Sequence, residues 1–237
     1  MQSWETYGSY LPGVERVQGT GSLLVIEGTD GVGRSTQVAR LKTWLEKQGR
    51  AVLDTGMTRS DLAGKGIKQA KIGHTLGPVT ASLFYATDFA ARLENEMVPA
   101  LRAGFVVLTD RYIYSLMARA SVRGVSPQWL EKVYAFALRP DAIFYLQVGL
   151  EELIPRVVFG RGFDFWESGM DLHLGNDMYD SFCRYQNMLR AEFDAMAERY
   201  QFEVVDASRN ADDVFQDLQG RIAALLGISL APAYELD

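Results

Sequence analysis

Three arginine-bearing stretches of this chain have the residue types that phosphate chemistry uses. The first is Gly28-Thr29-Asp30-Gly31-Val32-Gly33-Arg34-Ser35-Thr36. Glycines let backbone N–H groups close around phosphate oxygens, and a helix N-terminus adds its positive end. The run satisfies G-x-x-x-x-G-K-[ST] from Gly28 to Ser35 except that Arg34 stands at the lysine. This reading assigns a backbone cradle to Asp30 through Ser35, a Mg²⁺ ligand to the Ser35 hydroxyl with Thr36 next to it, and charge on the β/γ-phosphates to Arg34. A guanidinium is broad and planar where an ammonium is a compact point, so the substitution keeps the charge and changes the geometry. The second stretch is Asp110-Arg111, whose carboxylate can hold Mg²⁺ through water while Arg111 faces an anionic substrate. The third holds Arg156 and Arg161, suited to neutralising charge on a transferring phosphoryl group.

The elements that must position these groups follow from periodicity. Leu23–Glu27 is a short apolar run that reads as a buried strand, and Val38, Leu41 and Leu45 recur at helical spacing after the glycines. Further strands are expected at 51–54, 105–109, 142–148 and 202–205. Helices are expected at 79–101, 113–122, 127–137, 177–200 and 211–226, with Ser126 capping the third of these. Lys65, Lys68 and Lys71 share one face of a further helix and read as solvated. Residues 156–172 carry glycines, aromatics and acids in the composition of a mobile lid. Five β segments alternating with helices predict a three-layer α/β P-loop NTPase fold, with a five-stranded parallel sheet, flanking helices and a short lid. The expected divisions are an extension over 1–20, a kinase domain over 21–230 and a tail over 231–237. Trp4, Tyr7 and Tyr10 suggest that the extension packs in part.

Composition narrows the class. A chain of 237 residues with 48% hydrophobic and 23% charged content supports one sizeable core. A net charge of -6 argues against a nucleic-acid or anionic-membrane surface. Cys183 alone cannot form an intrachain disulfide, and His74 and His173 are too scattered for a histidine metal site. No signal peptide or bilayer-spanning run is readable, so a cytoplasmic location is expected.

From Ser22 to Leu226 the chain resembles the thymidylate kinases, within the P-loop nucleoside monophosphate kinases. Ile26–Gly31 resembles the family's strand and loop, including a carboxylate at Asp30 that helps position the acceptor near its sugar 3′-hydroxyl. Arg59-Ser60-Asp61-Leu62-Ala63-Gly64-Lys65 resembles the segment whose arginine grips the acceptor phosphate. Asp110-Arg111-Tyr112 with Ser115 resembles the DR[YH]-x-x-S motif at the same phosphate. Asp164-Phe165-Trp166-Glu167 resembles the lid's D-R-[YF]-E, and Asp206-Ala207-Ser208-Arg209 resembles the turn beside the donor adenine. Gly31 stands where some members carry a catalytic arginine. Members without it place basic residues in the lid, as Arg156 and Arg161 would be. The resemblance implies a homodimer.

Three departures are visible. Arg34 replaces the lysine. The helix arginine that contacts thymine, expected after Leu83-Phe84-Tyr85-Ala86, is absent, and Asp88 or Phe89 falls there. The aromatic and polar pair after the DRY motif is Arg119-Ala120. Arg119 is read as filling the lost arginine's space or pairing with Asp88. An aspartate at the base would suit an exocyclic amino group better than thymine.

The function expected is ATP- and Mg²⁺-dependent phosphorylation of a nucleoside monophosphate to its diphosphate, with dTMP the leading acceptor. Arg34, Asp30, Arg156 and Arg161 carry the chemistry. Gly28, Asp30, Gly31, Val32, Gly33, Arg34, Ser35, Thr36 and Arg209 hold ATP. Asp30, Arg59, Phe84, Asp88, Arg111, Ser115, Arg119 and Trp166 hold the acceptor, with Phe84 stacking on the base. Two rivals are a nucleotide-binding protein with weak or no kinase activity and a nucleoside kinase. Arg59 with Arg111 argues against the second, because an uncharged acceptor has no phosphate to grip.

Overall fold

The computed structural model describes residues 2–8, 17–73 and 76–230, so Tyr10, His74 and the 231–237 tail lie outside the described residues. The chain opens with an antiparallel pair, β1 (Gln2–Trp4) and β2 (Val17–Gly19). It continues through β3 (Ser22–Gly28), α1 (Arg34–Lys47), β4 (Val52–Gly56), α2 (Gly64–Gly73) and α3 (Pro78–Arg92). A π turn over Leu93–Met97 joins α3 to α4 (Val98–Arg102). Then come β5 (Val106–Asp110), α5 (Ile113–Val122), α6 (Pro127–Val133), β6 (Ala142–Gln147) and α7 (Leu150–Phe159). α8 (Met178–Tyr200), β7 (Glu203–Asp206) and α9 (Ala211–Leu226) close the chain.

The main sheet is five-stranded and wholly parallel, in the order β4-β5-β3-β6-β7, as the alternation of strand and helix predicts. Helices cover both faces, so Leu23, Leu24, Val25 and Ile26 are all fully buried and the central strand reads as a continuous apolar run. Leu23 and Val25 join the core under α3, α5 and α8, while Leu24 and Ile26 join the one under α1 and α9. The strand order reverses at β3, and at the carboxyl ends Ile26 pairs with Asp110 and Asp110 with Gly56. The loops after β3, β4 and β5 therefore open into one crevice, where open α/β sheets bind ligands.

Two elements depart from expectation. The single helix expected over 79–101 carries a π turn immediately before Pro99, whose missing N–H and ring disfavour a regular α turn there. The helix expected to run to 137 ends at Val133, though Ser126 caps its start by accepting from the Trp129 N–H. At the N-terminus, Trp4 is buried and its indole donates to Asp141 Oδ2 at 3.2 Å. Tyr7 and Gly8 donate backbone bonds to Ala137 and Ala135, and the Tyr7 ring meets Tyr114 and Tyr200 edge-on.

Candidate active site

The phosphate loop begins where β3 ends. Gly31, at φ +81°, leaves room for nothing larger, because a Cβ there would lie 2.6 Å from Val157 Cγ2 on α7. Gly33 caps α1 in a left-handed conformation, so the chain enters the helix directly at Arg34. The Arg34 side chain does not extend over the loop. It is buried, with Nε donating to Asp110 Oδ1 at 2.8 Å and Nη1 to the carbonyls of Gly28, at 2.6 Å, and Thr29. Nε and Nη1 are therefore committed to the protein, while the residue still lines the phosphate cavity. A longer, forked side chain can reach back to β5. Ser35 Oγ donates to the other oxygen of Asp110 at 2.7 Å. Burial works against the Asp110 charge, but Arg34 and Arg111 outweigh it and hold the carboxyl below its ordinary 3.8.

Around this loop lies a cavity of about 460 Å³. Arg34, Arg59, Arg111, Arg156 and Arg161 all line it, together with Ser35, Thr36 and Asp110. Arg59 is held by Asp54 at 2.8 Å and remains half exposed. Arg156 is not part of a lid loop: it sits in the last turn of α7 and donates to the carbonyls of Val32, at 3.5 Å, and Ser208, at 3.2 Å. Arg161 lies beyond the helix and pairs with Glu167. Arg209 bonds the Asp206 carbonyl at 3.0 Å and Asp217 at 2.6 Å, beside the turn that receives Arg156.

The acceptor side is organised by two buried carboxylates. Asp30 takes Arg111 on one oxygen and Arg119 on the other. Burial would raise its pKa, but Arg119 and Arg111 hold it well below the usual carboxylate range. Burial lowers Arg111 to about 10, with the neighbouring Arg34 charge adding to it. Glu27 accepts from the Tyr112 N–H at 2.8 Å, the Ser115 N–H at 3.1 Å and the Ser115 hydroxyl at 2.6 Å. Those bonds fix the turn after β5, in which Arg111 has a positive φ of 77°. Sequence reasoning assigned Glu27 no role. Its signal is a carboxylate closing an otherwise apolar run, which a buried strand accommodates only if donors meet it.

Three acceptor assignments are corrected by this geometry. Ser115 is fully buried behind Arg111, accepting from Arg111 Nη1 at 2.9 Å, so it orients that arginine and does not face the cavity. Asp88 is 1% exposed and is consumed by the Thr58 and Ser60 N–H groups, the Ser60 hydroxyl and Arg92. It shapes the Arg59 loop from beneath and pairs with Arg92, not Arg119. Phe84 is half exposed and turns toward Gly66 of α2, where a Cβ would stand 3.5 Å from its ring. Its neighbour Tyr85 lines the second cavity instead, because one residue turns a helix by about 100°.

That second cavity, of about 710 Å³, is walled by Tyr85, Leu116, Arg119, Tyr134, Phe165 and Trp166 among others. It meets the first where Arg119 reaches Asp30. Trp166 and Lys71 both line it, the Trp166 indole N–H donating to the Lys71 carbonyl at 3.2 Å. The expected mobile lid over 156–172 is thus narrower. Its first four residues belong to α7, and its far end is bonded down, with Gln186 donating to the Glu167 carbonyl and Ser181 to the Ser168 carbonyl, each at 2.7 Å. Among the described residues there is no group of three or more His, Cys, Asp or Glu able to hold a metal, and no helix is long and apolar enough to cross a membrane.

Residues 26–218 match the family model described as thymidylate kinase. A probable thymidylate kinase 2 of Saccharolobus solfataricus is 35% identical over 212 residues, covering 89% of this chain and 99% of that protein. A thymidylate kinase of Bifidobacterium longum subsp. infantis is 32% identical over 224 residues, 90% of each. A probable thymidylate kinase of Thermococcus gammatolerans is 29% identical over 212 residues, 85% of this chain and 96% of that one.

Proposed function

This chain belongs to the thymidylate kinase family, and from that premise we propose that it transfers the γ-phosphoryl group of ATP to dTMP, giving dTDP. One observation carries the assignment of roles: an arginine-lined phosphate cavity meets a large, mostly apolar cavity at the Asp30–Arg111–Arg119 cluster. In this reading the triphosphate lies on the Gly28–Thr36 cradle and the base enters between Tyr85 and Trp166. Arg59 and Arg111 hold the acceptor phosphate where the two cavities join. Asp30 keeps Arg111 and Arg119 oriented, and Glu27 and Ser115 fix Arg111 from behind. Catalysis is then positioning together with charge neutralisation by Arg156 and Arg161. Arg161 is available once an anion displaces it from Glu167.

Mg²⁺ suits the donor set, because the Ser35 and Asp110 oxygens lie 2.7 Å apart and are hard ligands; waters and phosphate oxygens would complete the shell. When bound, the ion supplies charge neutralisation between the β- and γ-phosphates. With Asp88 engaged elsewhere, the case for an amino-bearing base loses its footing. Arg119 only donates, which suits a base edge that accepts, such as thymine O4. A homodimer in the cytoplasm is part of the same reading and rests on the family resemblance.

A second reading, a nucleotide-binding protein with little turnover, draws support from Arg34 being tied to Asp110 and the loop carbonyls. ADP release from ATP and Mg²⁺, measured against each nucleoside monophosphate and each nucleoside, separates the readings. The proposal expects dTMP to lead. ATP binding without ADP release on any acceptor would favour the second reading.

A further inference from the structure

Arg123 follows α5 directly and is bonded through every donor it has. Nε and Nη2 fork onto the two oxygens of Asp171 at 2.8 and 3.0 Å. Nη2 also donates to the Trp166 carbonyl at 3.3 Å, and Nη1 to the Arg119 carbonyl at 3.1 Å and the Tyr185 hydroxyl at 2.6 Å. A guanidinium has five N–H groups, and these five bonds use all of them. Arg123 lines the acceptor cavity yet has no donor left for a ligand.

The places it joins are informative. Arg119 reaches Asp30 at the junction of the cavities, Trp166 lines the acceptor cavity, and Asp171 ends the segment that carries both Trp166 and Glu167. Gly169, between them, packs so closely on Tyr185 that a Cβ would meet the ring at 2.7 Å. Glu167 in turn holds Arg161. One side chain thus ties the acceptor helix, the roof of the acceptor cavity and α8 together.

We propose that Arg123 is a positioning residue for the transfer reaction: it docks residues 166–171 onto α5 and α8, so that acceptor binding and placement of Arg161 depend on it. The proposal rests on the kinase reading above, since that reading makes the large cavity the acceptor's.

The test uses the full chain with Arg123→Met, Arg123→Lys and Asp171→Asn. Initial rates are measured with dTMP varied at saturating ATP, and the reverse. Arg123→Met is expected to raise the dTMP KM about tenfold or more, because small misplacements of positioning groups are costly, while the ATP KM moves less than about twofold. Trypsin cleavage after Arg161, whose side chain is 59% exposed, should quicken by about tenfold as the segment loosens. Asp171→Asn should give an intermediate effect in both assays, and it keeps the test available if Arg123→Met folds poorly. Lysine keeps the charge but cannot fork, so it should not restore the dTMP KM. Equal rises in both KM values, unchanged cleavage, or full rescue by lysine would overturn the proposal. A wild-type chain without dTMP turnover would sink the kinase reading instead, and the cleavage comparison would still decide whether Arg123 docks residues 166–171 onto α5 and α8.

Discussion

Arg34→Met removes the guanidinium that lies 2.8 Å from Asp110 and leaves an uncharged side chain that ends near the Nε position. Breaking a buried ion pair from one side costs about 3–5 kcal/mol, because the remaining charge stays desolvated. Asp110 keeps its Ser35 bond and its side chain is 10% exposed, which puts the expected loss at the lower end, about 3 kcal/mol. For a chain of this size that lowers the melting temperature by about 6–12 °C. Turnover should fall about 10²-fold, the scale of a misplaced positioning group, because Asp110 and the Gly28 and Thr29 carbonyls lose the side chain that holds them. Arg34→Lys retains the charge, but one nitrogen cannot span Asp110 and the Gly28 carbonyl as the fork does. Its stability should stay within about 1 kcal/mol of wild type, with turnover unchanged or lower.

The pH dependence has a definite sign. The pKa of Asp110 is lowered in the folded state, so its stabilising contribution is full above the ordinary 3.8 and fades as pH falls through that value and below. Arg34→Met abolishes much of the lowering. The stability gap between wild type and variant should therefore be widest near neutrality and close as pH drops through the carboxylate range. Urea unfolding at several pH values and coupled ADP release at neutral pH measure the two effects. An Arg34→Met protein that melts and turns over like wild type would refute this account. A lysine variant about tenfold faster than wild type would identify Arg34 as a lesion in the lysine's place.

Asp88→Ala strands Arg92, itself 1% exposed, and should cost about 3–5 kcal/mol in thermal or urea unfolding. The dTMP KM should rise with it, because Asp88 holds the Thr58–Ser60 turn that carries Arg59, and a raised KM without loss of stability would return Asp88 to the acceptor site. Tyr85→Ala is expected to raise the dTMP KM about tenfold and leave the ATP KM alone, while Phe84→Ala does neither; steady-state kinetics with each substrate varied would expose a reversal. Gly31→Ala imposes a positive φ and a 2.6 Å contact with Val157, so it should lose about 2 kcal/mol and weaken ATP binding. Adding Val157→Ala should recover part of the loss, and calorimetric ATP titration of the three proteins checks it.

The acceptor pocket marks where reading residues in order stopped working. Phe84 and Tyr85 are adjacent aromatics on one helix, and no periodicity says which of them the neighbouring α2 will cover. Asp88 falls where a base contact is expected along the chain, yet the Thr58–Ser60 turn folds back onto it. Arg123 stands thirteen residues after Asp110 and carries no motif. Its meaning comes from Asp171, Trp166 and Tyr185, which only packing brings near.

What the sequence determined by itself is the part that depends on local chemistry. A doubly covered parallel strand must be continuously apolar, a phosphate cradle needs glycines before a helix N-terminus, and alternating elements dictate a parallel sheet. β3, the Gly28–Ser35 loop, Asp110-Arg111 and the five-stranded sheet were accordingly readable. The tertiary structure decided where each charge is directed. Asp30, Asp110, Arg34, Arg111 and Arg119 are close enough, and dry enough, that every guanidinium must find a carboxylate or carbonyl. Pairing among five ions is set by distances across the ends of two strands, β3 and β5, and two helices, α1 and α5, not by order along the chain. Hence the residue types of the site were legible, while Arg34 on Asp110, Arg119 on Asp30 and the docked lid required the fold.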